Sequence, residues 1–375
     1  STSYQWIKAN SFTNAGGQQK VTIADHSDPG LIVDAVRLVR RTPYDRQSAA
    51  QALFAAGSVA LGPAEEVVFN GVNTGLPRLQ NPGRVSIVQV NATTVYAYYR
   101  QEIASEKFQI YMATSTDGGK TFTVRPDPVI RLQSVAGFTE PLQTAYDQQV
   151  TKRPDGYYMV FEGAGLGCEF SAMSAFSPDG INNWQVRNVS VCDKMGQEGS
   201  ASVPTYYVDV ETGTEYLQWV SPNYIQQITR SYQTSLPTGL FKGQLTFTAD
   251  AQMAPYALPQ SPPGSWDAPL FGTTGVYYED GYYYASHNLA NRYNCDGRWA
   301  IGVARTATPG TVSSWKKSLK NPLLLAGDVG TCWMEYPSIV MLPSGLYLYY
   351  YDGYTNYLPD NRNNRSIFRR KLLPN

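Results

Sequence analysis

Apolar strands separated by polar, glycine-containing turns recur along the chain as one repeated unit. Each unit begins with an acidic residue, continues as an apolar strand, turns at a glycine and ends in a tyrosine-rich strand. Three clear copies and one degenerate copy occupy residues 146–161, 266–284, 334–350 and 198–219. Repetition of one supersecondary unit is typical of repeat architectures. The pattern therefore predicts an all-β protein built from repeated blades.

A second repeated feature is a turn in which Ser or Thr precedes Asp-Gly or Pro-Gly and an aromatic residue follows. It occurs at residues 115–122, 177–184 and 306–315. Its glycines are spaced by about one and about two units of roughly 65 residues, a length that suits a four-stranded propeller blade. In these turns Asp is expected to accept local backbone hydrogen bonds, and Gly to supply a positive φ.

Five blades can be drafted from these two features. We expect a five-bladed β-propeller that forms a single domain over residues 1–375, and a six-bladed, sialidase-like propeller is the alternative. The irregular segment 1–76 is expected to close the ring or to supply the extra blade, because closure removes an exposed sheet edge. The drafted units are approximately 77–126, 143–190, 198–250, 265–320 and 331–373.

Composition agrees with a rigid all-β protein and excludes several classes of function. Charged residues are 16% of the chain, which has 28 Tyr, 32 Gly and 24 Pro, and this balance favours strands and turns over helices. The formal net charge is +0, so neither nucleic acid nor an anionic membrane is expected as a partner. The apolar stretches are far shorter than the ~20 residues of a membrane-spanning helix.

The cysteines indicate an oxidising compartment. They fall into two local pairs, Cys168 with Cys192 and Cys295 with Cys332, and we expect two disulfides; four reduced core thiols are the alternative. Zinc is not expected, since no Cys/His spacing fits a zinc site. Three glycosylation sequons and a first residue other than Met fit a processed, secreted protein. We expect a monomer.

The acids that open the units carry the strongest functional signal. Blade strands run outward from the axis, so Asp147, Glu198, Asp267 and Glu335 are expected to converge at the hub. Glycosidic hydrolysis needs one carboxyl group that donates a proton and another that is ionised, and crowding separates their pKa values. We predict Glu335 as acid, Asp147 as base or nucleophile, Asp267 as the residue that tunes the acid, and Glu198 as a substitute. Capping of strand ends or pairing with Arg is the alternative for each.

Aromatic residues flank these acids and predict a wall for sugar rings. Sugar C–H faces pack on aromatic planes, whereas sugar hydroxyls need polar partners. The predicted substrate-binding residues are Tyr146, Trp266, His287, Trp333 and Tyr336. Packing between blades is the alternative for the aromatics. His287 is expected either to bind sugar hydroxyls, to help hold a central cation, or to be a structural residue.

Two further acids, Glu162 and Glu169, bracket a glycine-rich segment at 163–167 and are secondary acid candidates. The alternative is a pair of solvated loop charges. The segment lacks the Lys-Ser/Thr of a phosphate-binding loop, so nucleotide binding is not expected. No cofactor is required for carboxylate catalysis; the metal content is left open, and a structural cation such as calcium in the central channel is compatible with the architecture.

The unit motifs resemble those of the five-bladed propeller glycosidases, notably glycoside hydrolase family 43. The resemblance rests on Asp267-Ala-Pro with the 280–284 strand and on Glu335-Tyr-Pro-Ser with the 344–350 strand. The Asp-Gly turns also resemble the Asp-boxes of sialidase-type and family-93 exo-arabinanase propellers. The resemblance implies a secreted enzyme acting on arabinose-, xylose- or fructose-containing glycans. In family 43 the base Asp, a modulating Asp and the acid Glu come from the first, second and third blades, whereas Glu335 lies in the last unit.

The sequence thus predicts a secreted glycoside hydrolase whose partner is an oligo- or polysaccharide, with furanosidic, arabinan- or arabinoxylan-type linkages favoured. Two alternatives stay open at this point. A lectin-like propeller would bind sugars without catalysis, and a propeller polysaccharide lyase or transglycosylase would share the scaffold but form different products.

Overall fold

A computed structural model describes most of the chain from residue 49 onward. The described ranges are 49–54, 60–71, 82–193, 201–223, 228–242, 245–247, 258, 265–266, 271–289, 299–311, 314–327, 333–353 and 366–373. Within them the regular secondary structure consists of β-strands and one short helix, α1 (Ala49–Ala52).

The strands form five sheets, one per blade. Two short strands precede the first blade: β1 (Ala60–Leu61) and β2 (Glu65–Glu66). Blade 1 contains β3 (Val68–Asn70), β4 (Ser86–Gln89), β5 (Val95–Ala104), β6 (Lys107–Ser115) and β7 (Thr121–Val124). Blade 2 contains β8 (Leu142–Arg153), β9 (Gly156–Gly165), β10 (Cys168–Ser177) and β11 (Gln185–Asp193). Blade 3 contains β12 (Ser202–Val208), β13 (Glu215–Asn223) and β14 (Ile228–Ser235), and is followed by β15 (Leu245–Phe247). Blade 4 contains β16 (Phe271–Glu279), β17 (Tyr282–Leu289), β18 (Ala300–Thr306), β19 (Lys316–Lys317) and β20 (Leu324–Leu325). Blade 5 contains β21 (Trp333–Leu342), β22 (Gly345–Gly353) and β23 (Ser366–Leu373).

The blades close into a ring through their first long strands. These inner strands β4, β8, β12, β16 and β21 pack against one another in that order, and β21 packs against β4. Three short strands extend blade edges: β15 pairs in parallel with β11, while β1 and β2 pair with β23. The predicted five-bladed β-propeller is confirmed. Segment 1–48 lies outside the described residues, so the single-domain assignment stays a prediction.

The core consists of five apolar layers, each between two neighbouring blades. Side chains that succeed one another along a strand point to opposite faces, so adjacent residues belong to different layers. Tyr98 packs between blades 1 and 2, whereas Tyr99 packs between blades 5 and 1. Tyr283 and Tyr284 divide in the same way between blades 3 and 4 and blades 4 and 5. The tyrosine-rich strands therefore build the core.

One disulfide joins Cys168 to Cys192 and links the third and fourth strands of blade 2. This predicted pair is confirmed. The second predicted pair, Cys295 with Cys332, lies outside the described residues.

Candidate active site at the propeller hub

Three of the inner strands, β8, β12 and β21, contain a β-bulge that holds a residue at positive φ. Asp147, Val203 and Tyr336 have φ of 49°, 49° and 52°, and the ladder shifts register at each of them. Gly83, just before β4, has a φ of 55°. Such backbone is costly for non-glycine residues, above all for a β-branched one such as Val203, and bulges of this kind re-aim side chains near functional sites.

Asp147 from blade 2 is buried, with 3% of its surface exposed. Arg100 Nη1 lies 3.0 Å from its Oδ1, and the hydroxyl of Tyr336 donates to its Oδ2 at 3.0 Å. One partner is a cation and the other a hydrogen-bond donor, so both carboxylate oxygens of Asp147 are engaged. Asp147 therefore forms a buried ion pair at a point where blades 1, 2 and 5 meet.

Gly83 provides the space for this ion pair. A Cβ atom at Gly83 would lie 2.5 Å from Arg100 Nε and 2.9 Å from Asp147 Oδ1. The absence of a side chain lets the Arg100 guanidinium and the Asp147 carboxylate meet beside the start of β4. Blade 1 consequently contributes a cation from its second strand to the hub, and no side chain from position 83.

Glu335 from blade 5 is half-buried, and its charge acts on Arg100 and Tyr336, the two residues that contact Asp147. Burial lowers the pKa of Arg100, but the nearby Asp147 and Glu335 carboxylates raise it, and the net shift is upward. Burial raises the pKa of Tyr336 well above its ordinary value, and Asp147 and Glu335 raise it further. The structure thus brings the two predicted catalytic residues Asp147 and Glu335 around one arginine and one tyrosine.

Glu162 on β9 is a third carboxyl group in this region. It is buried with 5% exposure and accepts hydrogen bonds from Tyr146 Oη at 2.9 Å, Ser202 Oγ at 3.0 Å and the Val203 N–H at 3.1 Å. Burial raises the pKa of Glu162 to about 7, with a further contribution from the Asp147 charge. We call Arg100, Tyr146, Asp147, Glu162, Glu335 and Tyr336 the hub cluster.

The predicted aromatic residues divide into two groups. Tyr146 and Tyr336 belong to the hub cluster, and the Tyr146 ring lies 5.5 Å from the Arg100 guanidinium. Trp266 stacks on His287 of β17 with ring centroids 5.6 Å apart, and His287 is fully buried. The side chains of Glu198, Asp267, Trp333 and Glu169 lie outside the described residues. Their roles stay predictions.

Two arginines of the hub, Arg84 and Arg100, are not marked by the repeat in the sequence. Arg84 follows Gly83, has 1% of its surface exposed, and donates to Pro204 O at 2.6 Å and Thr205 Oγ1 at 2.9 Å. Burial lowers the pKa of Arg84 to about 9, although Asp147 opposes this shift. Arg84 thereby ties blade 1 to blade 3. In the sequence, Arg84 is marked only by its position one residue before the first apolar strand of the drafted unit 77–126.

Metal ligation has no support in the described ranges, where no group of three or more His, Cys, Asp or Glu residues is arranged to hold a metal ion. The described residues also include no helix long and apolar enough to cross a membrane.

Comparisons with known proteins find similar folds but no match at the level of sequence. No protein-family model matches the chain, and no curated protein matches it in sequence. Solved structures do match. The chain has the fold of the family-43 glycoside hydrolases. A thermostable family-43 glycoside hydrolase superposes with a TM-score of 0.56 at 16% identity, covering 82% of this chain and 92% of that one.

Two further solved structures support the same comparison of folds. An α-L-arabinofuranosidase from Lactobacillus brevis gives a TM-score of 0.56 at 11% identity, covering 78% of this chain and 91% of its own. An exo-1,5-α-L-arabinanase from a bovine ruminal metagenomic library gives 0.52 at 13% identity, with coverages of 80% and 97%. The expected resemblance to five-bladed propeller glycosidases is confirmed at the level of fold.

Proposed function

We propose that this protein is a glycoside hydrolase that cleaves glycosidic bonds in oligo- or polysaccharides, with arabinan- or arabinoxylan-type furanosidic linkages favoured. The observation that carries the proposal is the hub cluster, in which Asp147 and Glu335 from different blades share Arg100 and Tyr336. Convergent carboxyl groups are the chemical requirement for this reaction. The linkage preference is supported by the arabinofuranosidase and arabinanase whose folds this chain shares.

In the proposed mechanism Asp147 is the second carboxylate, which is paired with Arg100 and accepts a hydrogen bond from the Tyr336 hydroxyl. It serves as base or nucleophile as positive charge develops on the sugar ring. Glu335 is proposed as the acid that protonates the leaving oxygen, because its side chain is only half-buried whereas Asp147 is enclosed. Asp267 stays the candidate for tuning the acid, and Glu198 the substitute.

A carbohydrate-binding propeller without catalysis is the second candidate. One observation favours it: both Asp147 oxygens are occupied by protein donors, and its side chain is 4% exposed. A group so enclosed would need to shift when substrate binds, whereas a lectin would use it only to organise the site.

Product analysis separates these candidates. The purified protein is incubated with arabinan, arabinoxylan, fructan and sialylated glycans, and the products are identified by chromatography and mass spectrometry. We expect hydrolytic products from a furanosidic substrate. Glu335→Gln should lower turnover by about 10²–10⁴-fold, the usual contribution of a general acid, while sugar affinity by calorimetry stays close to wild type.

The control is Glu140→Gln, at an exposed loop residue, which should leave turnover unchanged. Binding without products would favour the lectin-like candidate, unsaturated products a lyase, and transferred sugars a transglycosylase. Secretion is part of the proposal and is supported by the Cys168–Cys192 disulfide, since disulfides persist in oxidising compartments. Cell fractionation tests it, and a reduced intracellular protein would contradict it.

A further inference from the structure

The three Asn-X-Ser/Thr tripeptides of the chain begin at Asn91, Asn188 and Asn364. Such a tripeptide is the acceptor for N-linked glycosylation, and the attached glycan is a bulky group that needs an open surface. The tripeptide alone does not distinguish a used site from an unused one, whereas the position of the asparagine in the fold does. Asn364 lies outside the described residues, and the other two asparagines lie in different surroundings.

Asn91 lies at the turn that joins β4 to β5 in blade 1. The turn is closed by a hydrogen bond from the Val90 N–H to Thr94 O at 2.9 Å. All three residues of the tripeptide, Asn91, Ala92 and Thr93, are exposed. Exposed turns of small and polar residues tolerate added groups best, since nothing packs on them.

The orientation of the Asn91 amide is fixed by the turn. Its Oδ1 accepts hydrogen bonds from the Thr93 and Thr94 N–H groups, each at 2.9 Å, and from the Thr93 hydroxyl at 3.1 Å. Because a backbone N–H can only donate, the amide atom that faces the turn is the oxygen. The nitrogen Nδ2, to which a glycan would be attached, therefore lies on the solvent side of an exposed residue.

Asn188 has the opposite environment, within the outer strand β11. It is half-buried, and its Nδ2 donates to Leu240 O at 3.1 Å. The third residue of its tripeptide, Ser190, is fully buried and donates to Ser174 Oγ at 3.2 Å. Leu240 is 1% exposed and belongs to the apolar layer between blades 2 and 3. A glycan on Asn188 would therefore displace core residues.

We propose that Asn91 is a site of N-linked glycosylation in the secreted protein and that Asn188 is not. The donor is an oligosaccharide carried on a polyprenyl diphosphate. A bond forms between Asn91 Nδ2 and C1 of the first sugar while the bond from C1 to the diphosphate oxygen breaks. The amide loses one proton, and the diphosphate leaves with the bonding electron pair. The proposal rests on secretion, which is part of the proposed function, and is independent of hydrolysis.

A glycan on Asn91 would lie far from the hub. Strand β4 leads from Arg84 at the hub to the turn, and β5 returns from the turn to Arg100 of the hub cluster. At about 3.3 Å per residue, the extended chain from Arg84 to Asn91 spans roughly 20 Å. Hydrolysis at the hub should therefore proceed at the same rate with and without the glycan.

Peptide mapping of the protein exported from yeast behind a host signal peptide tests the proposal. Glycans are removed with peptide-N-glycosidase in heavy-oxygen water, which labels each asparagine that carried one. We expect the label at Asn91 and none at Asn188. Thr93→Ala removes the acceptor tripeptide and should abolish the label at Asn91, whereas Thr93→Ser keeps the tripeptide and should retain it. Asn183 is exposed but has no Ser or Thr two positions later, and it serves as the unlabelled control.

The proposal is wrong if Asn91 of the exported wild type carries no label, if the label persists in Thr93→Ala, or if the folded protein is labelled at Asn188. Failure of the proposed function gives a different result. An inactive protein labelled at Asn91 would contradict hydrolysis alone, and an active protein without the label would contradict glycosylation alone.

Discussion

Replacement of Glu162 by Gln tests the electrostatics of the hub. Glu162 Oε1 accepts from the Tyr146 and Ser202 hydroxyls, and Oε2 accepts from the Val203 N–H. Gln can direct its oxygen to the Val203 N–H and its amide nitrogen to the two hydroxyls, which can rotate to accept. The substitution therefore keeps the hydrogen-bond network while removing the titrating group.

The expected magnitude follows from the raised pKa. In the folded protein the pKa of Glu162 moves from an ordinary 4.5 to about 7, so the folded state holds this proton over a range in which the unfolded chain has released it. The free energy of unfolding therefore falls as pH rises through this range. At 1.36 kcal/mol per pKa unit the fall amounts to about 3 kcal/mol, and the Glu162→Gln variant, which has no carboxyl group at this position, cannot produce it.

Denaturant unfolding of both proteins at four values between pH 4.5 and 7.5 measures this difference. Other groups also titrate, so the quantity of interest is the stability of the variant minus that of the wild type at each pH. This difference should rise by about 3 kcal/mol in favour of Glu162→Gln as pH increases. Glu140→Gln, at an exposed residue, should show no such trend. A constant difference for Glu162→Gln would refute the argument that Glu162 holds a proton beside Asp147.

Three further predictions concern the scaffold of the hub and blade 2. Arg100→Met should lower the free energy of unfolding by about 3–5 kcal/mol, because it leaves a buried carboxylate unpaired, and adding Asp147→Asn should restore part of it; additive losses in a double-mutant cycle would contradict this. Gly83→Ala should destabilise the protein and displace Arg100, since the new methyl group would clash with the ion pair; unchanged thermal unfolding would argue against the close approach. Replacing Cys168 and Cys192 by Ser should cost about 2–4 kcal/mol, given a separation of 24 residues, and reductant should then have no additional effect on the variant; wild-type stability in the variant would contradict the prediction.

The sequence was most informative about the repeated blade. The glycine turns at 156, 281 and 345 lie between the first and second long strands of blades 2, 4 and 5. Tyrosine-rich segments became buried strands because alternating side chains fill the layers on both sides of a blade. These features depend on local periodicity, which is visible in one sequence.

The hub was predictable only in part, because β-bulges change the register of the inner strands. The repeat places Asp147 and Glu335 at the same point of their units. In the structure Asp147 is equivalent to Tyr336, since both lie within the register shift and have positive φ. Glu335 is equivalent to Tyr146, since both are the last paired residue before the shift. A one-residue shift redirects side chains, and this shift brings Tyr336 onto Asp147.

The remaining members of the hub cluster come from second strands. Arg100 lies on β5 and Glu162 on β9, far along the chain from their partners. Neither stands out in a pattern of strands and turns. The sequence predicts Glu162 as a secondary acid candidate near a glycine-rich loop, whereas the structure places it within strand β9 and buries it against Ser202 and Val203. Pairings between distant strands are set by closure of the ring, which local sequence does not reveal.

The most direct test of the central claim is the initial rate of reducing-end release from an arabino-oligosaccharide by the wild type, Asp147→Asn and Glu335→Gln, each shown to be folded by circular dichroism. If the hub carboxyl groups perform the chemistry, the wild type hydrolyses the substrate and each variant loses about 100-fold or more of the rate. Wild-type rates in both variants would show that the carboxyl groups of the hub do not perform the chemistry.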